Sequence, residues 1–269
     1  MRAILSSCLA LLLAAGCATP PPPATLGPPM AYPPSVRERL LRIAAEEWRE
    51  WGAIAVPDAA NPGEVPPRLE GLADNMPRLI AYWRSVPDDE GAIARARAEY
   101  APDPLAPPAT LWADPPWSAA FISYLMLRAG VDVREFPPDA SHALYLDGLT
   151  ATAAAWPATA PFVPLAPEQA VPAPGDLVCA DRSRAPLPAW SARAAEVGRF
   201  RPMHCDLVLQ TAPGSVSALG GNVADAVVLT RFATDTSGRL LPRGPGRAPW
   251  VVVMQNRLGQ LPPFGVPGS

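Results

Sequence analysis

The sequence predicts an α+β fold in which N-terminal helices pack on an antiparallel sheet. Three observations carry that expectation. Apolar residues recur at helical spacing through the first half of the chain, as in Leu40, Leu41, Ala44, Trp48 and Trp51. After residue 150 the texture changes to short β-branched runs bounded by Gly and Pro, as in Ala226 to Phe232. Helices first and strands later is the order of a segregated α+β domain, and no internal repeat argues for a solenoid.

Taken in order, the chain opens with Met1-Arg2 and an apolar run from Ala3 to Ala15. A bilayer-spanning helix needs about 20 apolar residues, so this run has the shape of a secretory signal. It ends in Leu13-Ala14-Ala15-Gly16-Cys17, which resembles the bacterial lipobox. That resemblance makes Cys17 the acylated first residue of the mature chain and residues 1–17 the signal; the alternative is an ordinary signal peptide with an incidental Cys. Acyl chains would then anchor the protein by apolar burial. Ala18 follows, with no Asp there to retain the protein at the inner membrane, so the expected location is the outer membrane, facing the periplasm. Residues 18–34 are rich in Pro and nearly uncharged, which suits a semi-rigid extended tether. Residues 35–269 are then a single domain of about 235 residues.

Within it, Ser35 to Gly52 is predicted as a helix, with Ser35 and Glu38 set as a capping box and Gly52 as its stop. Ala53 to Val65 reads as loop, Pro77 to Ser85 as a short helix, and Asp88 to Tyr100 as a helix with a solvated face. Asp114 to Gly130 is a further helix, with Asp114 as cap, Pro115 in the first turn and apolar residues on most sides, hence buried. Strands are expected at Gly175 to Ala180, Met203 to Leu209, Ser215 to Leu219, Ala226 to Phe232 and Trp250 to Met254.

Composition removes whole classes of chemistry. A net charge of −3 and a pI near 5.5 give no electrostatic case for nucleic acid. All 22 basic residues are Arg, which excludes a Schiff-base Lys, a Ser-Lys dyad and a P-loop Lys. His142 and His204 are the only imidazoles, too few for a three-His zinc site. A mixed site using Cys179, Cys205 and a carboxylate lacks ligand spacing, so neither metal nor cofactor is expected. In an oxidising compartment Cys179 and Cys205 can pair, or they stand as two buried thiols. Nothing in the sequence speaks to oligomeric state.

One constellation can carry chemistry. Side chains alternate on a strand, so His204, Asp206 and Val208 share one face, while Cys205, Leu207 and Leu209 take the other. If the Asp114–Gly130 helix sets its N-terminus over the His204 face, Ser118 meets His204. Unpaired helix N–H groups favour a nucleophile losing its proton, His204 serves as base, and the Asn222 amide oxygen orients the ring.

Motif order gives these residues a second reading. Pro116-Trp117-Ser118-Ala119-Ala120-Phe121-Ile122 resembles the Pro-Trp-Cys-Ala-Ala-Phe-Val segment of NlpC-like and CHAP-type cell-wall peptidases and amidases. Gly175-Asp176-Leu177 resembles their strand entry, His204 falls at their catalytic His, and Gly220-Gly221-Asn222 resembles an element found in several of them. Residues 35 to 258 are also similar to the bacterial domain-of-unknown-function family 2272, which shares the Trp-Ser-Ala-Ala-Phe-Ile-Ser helix, a Ser141-His142-type pair and a His-Cys-Asp strand.

The resemblance implies a papain-like frame and no established activity. It implies peptidoglycan or cell-wall peptide as partner. In the leading reading Ser118 stands in for Cys as nucleophile of an amide hydrolase, with His204 as base, Asn222 orienting, and Trp117 and His142 lining the cleft. A hydroxyl has a far higher pKa than a thiol, so Ser118 depends more on its base. The rival is a non-catalytic lipoprotein that grips cell-wall peptide or a protein partner. His142 has its own alternative as a structural residue.

Overall fold

The computed structural model describes residues 27–58, 65–66, 69–87 and 116–264. The expected signal with Cys17, the first part of the expected tether, the helix expected over 88–100, and Asp114 with Pro115 lie outside the described residues. No helix among the described residues is long and apolar enough to cross a membrane.

Four α-helices precede most of the sheet: α1 (Pro34–Glu50), α2 (Met76–Trp83), α3 (Ser118–Ala129) and α4 (His142–Ala155). In α1, Leu40 and Ala44 face the core, and Trp51 is buried beyond its last residue. The expected capping box is not formed. Pro33 is the cap and Pro34 opens the helix, so Ser35 is already inside it. The end of the tether is part of the domain: Tyr32 is buried, its hydroxyl donates to Glu135 at 2.7 Å, and the Met30 N–H donates to the same carboxylate at 3.1 Å.

Helix α4 went unread in the sequence. Ser141 is its extended N-cap, but its apolar residues surround it rather than forming a stripe, so no periodic face announces it. Gly148 lets it lie against the preceding loop, since a Cβ there would stand 2.4 Å from Pro137 Cγ. The buried guanidinium of Arg193, in a 3-10 segment at Trp190–Glu196, holds Asp147 of α4 through two bonds of 2.8 Å.

Seven strands form one sheet: β1 (Ala55–Pro57), β2 (Phe162–Leu165), β3 (Leu177–Asp181), β4 (Met203–Ala212), β5 (Ser215–Val223), β6 (Ala226–Ala233) and β7 (Trp250–Asn256). Their order is β1-β6-β5-β4-β3-β7-β2. Every pairing is antiparallel except β1 with β6. Two strands depart from expectation. β1 lies in a stretch read as loop, and β2 had no prediction; both are edge strands of three or four residues containing Pro, too short to show alternation.

The two faces of the sheet are covered differently. Cys179, Cys205, Leu207 and Leu219 join one cluster with Trp117, Phe121, Ile122, Leu125 and Met126. This is the helix-covered face. Val178, Val208, Ala218, Val253 and Phe232 form a separate, smaller cluster on the other. On the helix face, Cys179 and Cys205 sit opposite each other in register and are joined by a disulfide.

Candidate functional site

Ser118 is the first residue of α3, following Trp117 at the N-cap. Trp117 is fully buried. It stacks on Trp51 and Tyr82, with ring centroids 5.2 and 5.6 Å away, and its Nε1 donates to Glu70 at 2.7 Å. These contacts fix the start of α3. They also correct the expectation that Trp117 lines a cleft: it is a core residue.

The imidazole that meets Ser118 is His142. Its Nε2 lies 2.8 Å from Ser118 Oγ, and its Nδ1 lies 2.6 Å from the Tyr145 hydroxyl, one turn further along α4. The expected Ser118–His204 pair is replaced because Phe121 of α3 lies on the Gly221 side of β5, whereas His204 Nε2 and Asp206 lie on the Gly220 side. His142, expected to line the cleft, is the first residue of α4 and only 4% exposed. Burial is the main reason its pKa lies well below the usual imidazole range, with the charges of His204 and Arg182 adding to it. Burial likewise pushes Tyr145 well above the usual phenol range, with Asp206 contributing. The ring is therefore neutral and the phenol keeps its hydrogen.

That hydrogen decides the tautomer. Tyr145 is fully buried, and among the described residues its only side-chain hydrogen-bond partner is His142. A buried donor left unmade costs about 1–3 kcal/mol. Tyr145 therefore donates to Nδ1, the ring hydrogen sits on Nε2, and Ser118 Oγ accepts it. In a Ser-His-Asp triad the carboxylate enforces the opposite tautomer, leaving a lone pair aimed at the hydroxyl. Here that lone pair is occupied by a phenol.

His204 stands apart in chemistry though not in space. Its ring is edge-on to that of His142, with centroids 5.5 Å apart. Its Nε2 donates to Asp206 Oδ1 at 3.1 Å. Asp206, two residues along the same strand face, is therefore the group that orients the ring, not Asn222 as expected. The sequence carried the signal in the His-x-Asp spacing. Nδ1 of His204 is buried and without a hydrogen-bond partner among the described residues.

The glycine pair on β5 explains how both faces close. A Cβ on Gly220 would stand 2.1 Å from Asp206 Oδ1 and 2.9 Å from His204 Nε2, so only glycine leaves room for that dyad. A Cβ on Gly221 would stand 2.7 Å from Phe121, on the helix side.

His204 and Asp206 line a cavity of about 510 Å³ together with Arg182, Asn222, Phe232 and Arg243. Asn222 thus sits at the cavity, in a left-handed conformation with φ 55° that Asn tolerates. Arg243 grips Asp58 through two hydrogen bonds, and its guanidinium lies over Phe232 and Trp250. Among the described residues Ser118, His142 and Trp117 do not line this cavity. No group of three His, Cys, Asp or Glu side chains that could hold a metal ion is found among the described residues.

The family model described as "Uncharacterized protein conserved in bacteria (DUF2272)" matches residues 76–256, well over half of the chain. Neither the curated proteins nor the solved structures include a match.

Proposed function

We propose, from the premise that the chain belongs to the uncharacterized bacterial family DUF2272, that it is a cell-envelope lipoprotein whose papain-like domain binds cell-wall peptide without cleaving it. Cys17 anchors it, with the outer membrane as its site and the periplasm as its medium. The papain-like assignment is supported by motif order: a helix opening on Trp117-Ser118, the Gly175-Asp176-Leu177 entry into β3, and His204 near the start of β4.

The observation that carries the non-catalytic reading is the buried chain Ser118–His142–Tyr145. Nucleophilic attack by Ser118 requires His142 to take a proton. The ring sits where burial opposes that charge, and among the described residues its hydrogen-bond partners are Ser118 and Tyr145, neither a carboxylate. The pair therefore ties α3 to α4 as a structural bond. Binding falls instead to the cavity lined by His204 and Asp206.

Full-length protein in detergent micelles, mixed with purified peptidoglycan, tests this. The expected result is co-sedimentation with the cell wall that persists in Ser118→Ala, with no soluble fragments released by either protein. Release of fragments by the native protein and its loss in Ser118→Ala overturns the reading. That outcome belongs to the second reading, an amide hydrolase with Ser118 as nucleophile and His142 as base. The 2.8 Å separation of Ser118 Oγ and His142 Nε2 is the observation in its favour.

A further inference from the structure

The cavity beside His204 has unspent hydrogen-bonding capacity of two kinds. His204, which lines the cavity, donates from Nε2 to Asp206, while its Nδ1 is buried and without a hydrogen-bond partner among the described residues. A buried acceptor of this sort is satisfied by a ligand or an ordered water. The cavity's ionic groups are unevenly committed. Asp58 and Arg243 neutralise each other, and Asp206 is engaged by His204. Arg182 also lines the cavity, is exposed, and forms no ion pair among the described residues. Its charge is close enough to be felt at the His142 ring, which touches His204. Phe232, Val56 and Val65 add apolar wall.

A ligand that fits must bring an N–H or O–H donor, a carboxylate and a small apolar group close together. The smallest common chemistry holding all three is an N-acylated amino acid at the carboxyl end of a peptide. We infer that this cavity binds a peptide carboxyl terminus, with Arg182 receiving the carboxylate and His204 Nδ1 accepting the terminal amide N–H. The inference rests on the binding reading above and names the part of the cell-wall peptide that the cavity grips. Gly220 is what keeps His204 and Asp206 in position for it, since any side chain there displaces one of them. A bidentate guanidinium–carboxylate contact gives geometric selection as well as charge.

The test uses N-acetyl-alanyl-alanine, in L,L and D,D forms, as free acid and as carboxamide, titrated into full-length protein in detergent at pH 8. The expected result is saturable calorimetric binding of the free acid in at least one form. The matching carboxamide and Arg182→Gln should each weaken it by roughly tenfold or more, the scale of a lost charged hydrogen bond. Arg182→Lys should recover part of the loss.

Selective ¹⁵N-histidine labelling supplies a second readout, because the chain has only two imidazoles. Ligand should move the Nδ1 resonance of His204 and leave that of His142 in place. Equal affinity for acid and amide, a shift confined to His142, or no binding of any form overturns the inference. If the free acid fails while peptidoglycan co-sedimentation persists, the carboxyl-end assignment falls and the binding reading stands. If co-sedimentation fails as well, both fall.

Discussion

Gly220 and Gly221 are neighbours on one strand, yet they serve opposite faces of the sheet under different physics. On the Gly221 side, Phe121 of α3 presses against the backbone, and the surroundings are dry, aromatic and dominated by burial. On the Gly220 side the space is filled by a carboxylate and an imidazole, and the neighbouring cavity is ringed by ionic groups. The face bearing the enzyme-like serine is the closed structural one. The face without a nucleophile holds the buried His204 Nδ1, which has no hydrogen-bond partner among the described residues.

The comparison can be broken most severely from the helix side. Phe121→Ala should cost about 3–5 kcal/mol, as large core truncations do, read as a lowered denaturant midpoint; a cost below 1 kcal/mol would mean that the helix face is not the packed one. Next, Gly220→Ala should separate His204 from Asp206 and cost about 1.5–3 kcal/mol, the worth of a charge-assisted hydrogen bond. It should also move the His204 ring resonances while sparing His142. Gly221→Ala sharpens the contrast. Overpacking against Phe121 should cost about 1–3 kcal/mol, with the His204 resonances unchanged.

A pH series isolates His142. Its folded-state pKa is depressed by burial, so below the ordinary imidazole value of about 6.5 the unfolded chain takes up a proton that the native state refuses. Stability from this group is complete above about pH 6.5 and falls as pH drops toward the folded value, by at most about 1.4 kcal/mol per unit. His142→Gln should flatten that slope in chemical denaturation at pH 5.5 to 7. The smallest effect is expected for Ser118→Ala, about 1 kcal/mol for one neutral hydrogen bond. A loss of 3 kcal/mol or more would show that the bond does more than tie α3 to α4.

Much of this architecture was legible in the residues, and its failures have physical causes. Helix α3 and its Gly130 stop follow from local chemistry, as do strands β3 to β7, but α3 opens after Trp117 rather than at the expected Asp114 cap. The alternation along β4 correctly separated His204 and Asp206 from Cys205 and Leu207. What alternation could not supply was which face α3 would cover, and the Ser118–His204 pair depended on that choice. Helix α4 was hidden by its all-round apolar character, and with it the identity of the imidazole beside Ser118. The cavity joins residues from β1, β4, β5 and the segment before β7, a juxtaposition that no local pattern encodes.

The parallel edge strand has one last consequence. Asp58, just beyond β1, meets Arg243 across 185 positions of chain, and with Val56, Pro57 and Val65 it joins a wall otherwise built by the last third of the molecule. A ribosome releases the first of these parts long before the second. Until the chain as far as Ala248 has emerged, the wall of this cavity is incomplete.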